Sequence, residues 1–250
     1  GDHRDLHSSL HDALPIWSNR RVIVTGGGTI EKIDDVRYLS NYSSGKMASS
    51  LATALYCKGA DVNLISTKFE NELPEDLYTI DVDNAEDMLE YLTDSIRIAK
   101  KGKLSKASLM SNEQIQLIQK KPFLFMAAAV SDYIPAFAQD GKLKKDILGD
   151  EWELKLKQNI DILDTIDKNG IATVGFKAEM DESNALNNAS KMIDTKNVDA
   201  VCLNLLKNSS SFGSDTNKVE FITANKKETL TEDDKLNVAF NIIEHAKVLG

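Results

Sequence analysis

Asn41-Tyr42-Ser43-Ser44-Gly45-Lys46-Met47 gathers an amide, two hydroxyls, a glycine and a lysine into one short stretch. Met47, Leu51, Ala54 and Leu55 follow at helical spacing, so a helix begins near Ser43 or Ser44. A helix start leaves N–H groups unpaired and carries partial positive charge, which suits a phosphate or carboxylate. Lys46 in the first turn adds a full charge. An ordinary serine-capped helix is the plainer alternative. Arg37, Asp132, Lys142 and Asn204 fall on other loops of the chain. Together these groups suit binding of charged ligands and stabilisation of developing charge, as in phosphoryl or nucleotidyl transfer.

Two familiar phosphate signatures do not fit. A dinucleotide fingerprint starting at Gly26 needs glycine where Glu31 stands. A Walker loop ending at Gly45-Lys46 needs glycine at Ser40 and a hydroxyl residue at Met47. The amides of Gly26-Gly27-Gly28 and of the helix start could hold phosphates without either motif. Nucleophilic catalysis lacks a base, because the one histidine beyond the first residues is His245, expected at the surface of the last helix.

The elements that carry these groups alternate. Strands are predicted at 21–26, 61–66, 78–82, 123–129, 171–176, 199–203 and 218–223, the last of these being the final strand. Helices are predicted at 44–58, from Asn84, across Ala185–Ile193, and at 232–248 with Thr231 as cap, Asp234 in the first turn, and Leu236, Ala239, Phe240 and Ile243 inward. Strands rich in Val, Ile and Ala alternating with helices imply a mainly parallel sheet covered on both faces. Ligands of such sheets bind beyond the carboxyl ends of the strands, here the loops 26–45, 127–135, 175–180 and 203–217. Residues 100–121 read as a lysine-rich, partly helical surface insertion. Residues 142–157 read as a hairpin flap, with Trp152, Leu154 and Leu156 alternating against charged neighbours.

At 250 residues, 42% apolar and 28% charged, the chain has the composition of a soluble globular protein with a sizeable core. The net charge of -9 argues against a nucleic-acid binder. No apolar run approaches the roughly 18 residues that cross a bilayer. Two cysteines without metal-ligand spacing, Cys57 and Cys202, read as packing thiols of a reduced, cytoplasmic protein. Residues 1–18 read as a non-native or disordered leader, with the domain at 19–250. His3, His7 and His11 would share one helix face there, as weak metal ligands do.

Several stretches together resemble one family, phosphopantothenate–cysteine ligase (phosphopantothenoylcysteine synthetase). They are Gly27-Gly28-Thr29, Ile33-Asp34, Val36 to Asn41, Ser43 to Met47, Ala127 to Tyr133, Lys142 to Lys145, Asn159 with Asp161-Ile162, Val174 to Phe176 with Ala178-Glu179, and Phe212 to Asp215 with Asn217. They run in the family's order from about Arg21 to the end of the chain.

The resemblance implies an α/β fold: a three-layer, Rossmann-like, mainly parallel sheet with a projecting flap. It also implies a two-step reaction of coenzyme A biosynthesis. CTP first activates the carboxylate of 4'-phosphopantothenate as an acyl-CMP, and the amine of L-cysteine then displaces CMP. By resemblance Asn41 and Lys142 are catalytic, and Arg37, Ser43, Ser44, Gly45 and Lys46 bind substrate, Arg37 supporting either phosphopantothenate or the dimer contact. Nucleotide binding falls by resemblance to Gly27, Gly28, Met126, Ala127, Ala128, Asp132, Lys142, Ile160, Asp161, Ile162, Leu163, Phe176 and Lys196. Met192 stands where the family has a second helix lysine and continues the apolar stripe of its own helix. The family implies Mg2+ with the nucleotide, a homodimer, and no FMN on this chain. A flavin-dependent decarboxylase is implied as a partner or lost fusion domain, with no nucleic acid and no membrane. The alternative class is a Rossmann-like NAD(P)-dependent oxidoreductase or epimerase, and a third reading is a non-catalytic nucleotide-binding module.

Overall fold

The computed structural model describes residues 16–69, 72–104, 115–206 and 213–250. Eight strands form one sheet: β1 Arg21–Gly26, β2 Asp61–Ser66, β3 Tyr78–Asp81, β4 Phe123–Met126, β5 Ala172–Glu179, β6 Ala200–Leu205, β7 Val219–Thr223 and β8 Lys227–Thr229. Their spatial order is β8-β7-β6-β5-β4-β1-β2-β3. The pairs from β3 across to β6 are parallel, while β7 and β8 add antiparallel. The expected mainly parallel sheet is therefore present, extended by a strand beyond the one expected last.

Successive side chains on a strand point to opposite faces, and this alternation divides the core. Val22, Val24, Leu64, Phe123, Phe125 and Val174 face one side. There they meet helices α1 (Lys46–Cys57) and α4 (Lys235–Ala246) through Leu51, Leu55, Val238 and Ile242. Ile23, Ile65, Leu124 and Met126 face the other side and meet α2 (Ala85–Ala99) through Met88, Leu92 and Ile96. Helix α3 (Glu182–Lys196) covers β6 on that side through Ala185 and Ala189.

Local chemistry sets the helix ends. Asn84 caps α2, its side chain accepting from the Asp87 N–H, with Glu86 and Asp87 in the first turn. Glu31, buried, also accepts from the Ala85 N–H at 3.2 Å. The residue that breaks the dinucleotide fingerprint is thus a second acceptor at that helix start. At α4 the cap is Asp234, not Thr231, and the buried face is Val238, Ala239, Ile242, Ile243 and Ala246. Leu236 is consequently exposed rather than inward.

Three further expectations need correction. Trp17 is not leader: it is 1% exposed and packs edge-on to Phe123 at 4.8 Å between ring centroids. The folded domain begins by Ile16–Trp17. The leader histidines lie outside the described residues. Residues 142–157 do not form a hairpin with each other, because Lys145–Leu148 makes a single helical turn closed by Gly149 at φ 74°. Leu156–Gln158 pairs instead with Tyr133–Pro135, antiparallel, so the projecting ribbon is built from two segments and residues 136–155 loop out between them. Cys57 is exposed, and only Cys202 is a packing thiol. The 100–121 insertion starts and ends in a two-stranded stem, Lys103–Leu104 against Leu117–Ile118. Its expected helical part falls at 105–114, outside the described residues. Among the described residues no helix is long and apolar enough to cross a membrane.

Candidate active site

The carboxyl ends of β1, β4, β5 and β6 meet the start of α1 around a cavity of about 200 Å³. Helix α1 has Gly45, at φ 75°, in its cap position and so no side chain there, while the Ser44 hydroxyl accepts from the Lys46 N–H at 3.4 Å. A Cβ on Gly45 would lie 2.4 Å from the Lys68 carbonyl oxygen, so only glycine lets the helix start at this depth. Ser43, Ser44 and Gly45 line one wall. Ala127, Ala128 and Ala129 follow β4, and their small side chains keep the strand end open. Phe176, Lys177, Cys202 and Asn204 form the wall from β5 and β6, while Ser214, Asn217 and Lys235 close the third side. Full burial pushes the Cys202 thiol far above its ordinary value, so it is an apolar lining group rather than a nucleophile.

Lys46 turns away from the helix axis. Its ammonium donates to the Gly213 carbonyl at 3.1 Å and to the Asp215 carboxylate at 2.8 Å. That ion pair holds the Asp215 carboxyl below the ordinary value and ties the 213–217 segment across the start of α1.

The glycine run after β1 does a different job from the cavity walls. A Cβ on Gly27 would lie 2.1 Å from Thr67 Oγ1, and one on Gly28 would lie 2.5 Å from the Asn41 carbonyl oxygen. The Gly27 carbonyl accepts from the Ala129 N–H at 2.8 Å, and the Gly28 carbonyl accepts from the Thr67 hydroxyl at 2.8 Å. These two residues are the close-packed junction on which three loops rest. One of those loops carries Asn41, which is exposed immediately before the lining residue Tyr42 and whose side-chain N–H donates to the Val130 carbonyl at 3.0 Å.

Lys142 is exposed and stands outside the cavity wall. Its neighbours are fastened to the turn at 33–37. The Gly141 N–H donates to the Asp35 carboxylate at 2.6 Å, and the Leu143 N–H donates to Asp34 at 3.1 Å. Arg37 donates to Asp34 through Nε at 3.0 Å and again through a terminal nitrogen, and also to the Leu143 carbonyl at 3.1 Å. The Arg37 guanidinium lies over the Trp152 ring, 4.8 Å from its centroid.

The Arg37 hydrogen bond, helped by N–H groups of Val36, Leu143 and Arg37 against an opposing desolvation, holds the Asp34 carboxyl well below the usual carboxylate range. A depressed carboxylate contributes its stabilisation fully above the unfolded value of about 3.9 and loses it only as pH falls through the lower folded value. Amide protection at Gly141 and Leu143, corrected for intrinsic rate, is therefore expected to be unchanged from pH 8 down to pH 5. A fall in protection around pH 5 would contradict this placement.

The family profile described as "DNA/pantothenate metabolism flavoprotein C-terminal domain" matches residues 17–101 and 99–249. The chain belongs to this family. The Bacillus subtilis coenzyme A biosynthesis bifunctional protein CoaBC is 32% identical over 251 aligned positions, covering 98% of this chain and 55% of that protein. A cysteine/cysteine sulfinic acid decarboxylase from an unknown prokaryotic organism is 32% identical over 210 positions, 82% of this chain and 51% of that protein. The chain thus spans about half the length of the curated relatives it matches. Among solved structures, the C-terminal domain of coenzyme A biosynthesis bifunctional protein CoaBC superposes with a TM-score of 0.70 at 25% identity, covering 94% of this chain and 97% of that one. The family resemblance drawn from the motifs and the α/β fold it implies both hold.

Within this flavoprotein C-terminal domain, the cavity gathers Ser43, Ser44, Gly45, Ala127, Ala128 and Phe176 from the residues singled out in the sequence. Gly27, Gly28 and Met126 lie beneath it, buried. Ile162 is core at 2% exposure and Leu163 packs beside it, so their side chains face the interior. Asp161 caps the short turn Ile162–Thr165 and, with Asp164, brackets the Lys196 ammonium at 2.6 and 2.7 Å. Those carboxylates raise the Lys196 pKa and spend its charge locally. Asp132 and Ile160 are exposed on the loops joined by Asn159, which donates to the Ser131 and Asp132 carbonyls at 2.8 Å. Met192 packs against Gly175, where a Cβ would lie 2.7 Å from its methyl carbon, so burial is its role. Lining residues that the site reading passed over include two lysines, Lys177 and Lys235. Lys177 follows the buried run of β5 and Lys235 opens α4, and position at an element's end was the available signal for both.

Proposed function

We propose that this chain joins 4'-phosphopantothenate to L-cysteine in coenzyme A biosynthesis, with CTP as the activating nucleotide, in the cytoplasm. The observation that carries the reading is the cavity at the carboxyl ends of the strands. There a helix start with glycine in its cap position faces small-residue walls, with Asn41 beside the lining residue Tyr42. A carboxylate is a poor electrophile until its oxygen belongs to a good leaving group. In the first step a carboxylate oxygen attacks the α-phosphorus of CTP, a P–O bond forms, and pyrophosphate departs. In the second the cysteine amine attacks the acyl carbon, a C–N bond forms, CMP leaves with its oxygen, and the amine proton passes to solvent.

The N–H groups at the start of α1 suit a phosphate. Lys142 neutralises charge on the triphosphate as the nucleotidyl group transfers. Asn41 holds the acyl-CMP, its amide able both to donate and to accept while the carbonyl oxygen gains charge. Among the described residues no three His, Cys, Asp or Glu side chains come together. Mg2+ would enter with the nucleotide phosphates, which it usually accompanies. The rest of the relatives' length leaves room for a flavin-dependent decarboxylase as fusion or partner.

A homodimer is part of the proposal. The turn at 33–37 and the ribbon beside it expose Val36 at 58%, Tyr38 at 58%, Tyr133 at 59% and Phe137 at 71%, an apolar surface of the kind that associates.

The test is pyrophosphate release with CTP, phosphopantothenate and Mg2+, with and without cysteine. Turnover should require cysteine, and Asn41→Asp should form the acyl-CMP yet pass it to cysteine at least about 10²-fold more slowly. Normal product formation by Asn41→Asp removes its assigned role. No pyrophosphate from the unmodified chain with any nucleoside triphosphate removes the ligase reading.

A further inference from the structure

The resemblance gives Arg37 to the substrate, and the geometry gives it other work. Its charge is already matched by Asp34, a carboxylate only 3% exposed. Nε and one terminal nitrogen are committed to Asp34, the same terminal nitrogen reaches the Leu143 carbonyl, and the flat face rests on Trp152. Moving this guanidinium onto a phosphate would leave the buried Asp34 carboxylate without its counter-charge, held by backbone N–H groups alone, a costly state.

The same contacts bracket Lys142. Gly141 before it exchanges hydrogen bonds with Asp35 in both directions, N–H to carboxylate at 2.6 Å and carbonyl from N–H at 3.2 Å. Leu143 after it is held at its N–H by Asp34 and at its carbonyl by Arg37. The Gln139 N–H donates to the Ile33 carbonyl at 2.9 Å, continuing the seam. The lysine backbone is thereby fixed, from both sides, to the turn that leads into Asn41.

We propose that the buried Asp34–Arg37 pair is a strut that positions Lys142, and that Arg37 makes no direct contact with substrate. This rests on the ligase reading for its consequence, although the strut itself is a statement about the backbone. Asp34 and Arg37 are positioning residues: they act on the reaction through where they hold Lys142.

The two roles for Arg37 separate cleanly in experiment. A charge contact to substrate predicts that Arg37→Ala raises KM and that Arg37→Lys restores it. A strut needs the planar fork, which lysine cannot supply. The expected result is that Arg37→Ala, Arg37→Lys and Asp34→Asn all lower kcat for pyrophosphate release by about 10–100-fold with KM for both substrates unchanged, as for a misplaced group. In a Lys142→Gln background the same substitutions should cost nothing further. Independently of activity, amide exchange at Gly141 and Leu143 should accelerate in all three variants while β1 amides stay protected.

Recovery of wild-type KM and kcat by Arg37→Lys overturns the proposal, as does unchanged exchange at Gly141 and Leu143. If the unmodified chain releases no pyrophosphate, the ligase reading falls while exchange alone still decides the strut.

Discussion

Lys142→Gln should lower pyrophosphate release by about 10²–10³-fold, the loss typical of removing one preorganised donor at developing charge. Glutamine keeps length and polarity and removes only the ammonium, so the loss reports charge. The segment should stay in place, because it is held through the backbones of Gly141 and Leu143 and not through the Lys142 side chain. Circular dichroism and melting temperature should match the unmodified chain. Single-turnover assays with CTP and phosphopantothenate then read the first step directly. A rate within twofold of the unmodified chain would take Lys142 out of the mechanism.

Trp17→Ala should destabilise the fold by about 3–5 kcal/mol, in the range for large aromatic truncations in cores. Trp17 is 1% exposed, with Phe123 at 4.8 Å and Phe125 at 6.3 Å between centroids, so the cavity left behind has rigid walls. Among the described residues its indole nitrogen has no hydrogen-bond partner, so the loss is one of packing and of the Arg20 guanidinium 6.0 Å from its ring. Trp17→Phe should therefore cost far less, since it keeps an aromatic ring and removes an unpaired buried N–H. Urea unfolding followed by circular dichroism measures both. Equal midpoints for Trp17→Ala and the unmodified chain would show that residue 17 is outside the cooperative unit.

Much of this was legible because periodicity reports burial. β1 and β2 occupy 21–26 and 61–66 as read, and Asn84 caps α2 where the apolar stripe begins. What failed were matters of partnership. The alternation through Trp152, Leu154 and Leu156 reaches a strand only at Leu156 and carries no address, and the partner of Leu156–Gln158 proved to be Tyr133–Pro135 rather than the neighbouring residues. Trp17 stands alone before the first strand, without periodic companions, and only the rings of Phe123 and Phe125 reveal its place. Several of the motif loops do meet at the cavity, yet chemical type did not say whether a residue faces it or holds another loop. Gly27, Gly28 and Arg37 do the latter. Glu31 looked like a mere break in a motif, and its carboxylate turns out to serve the start of α2.

The bond between Lys46 and Asp215 joins positions separated by 169 residues. One wall of the pocket is made as the first helix forms, and its opposite side belongs to sequence synthesised near the end. A polypeptide that stops short of Asp215 can therefore own every motif up to Lys46 and still lack one side of this cavity.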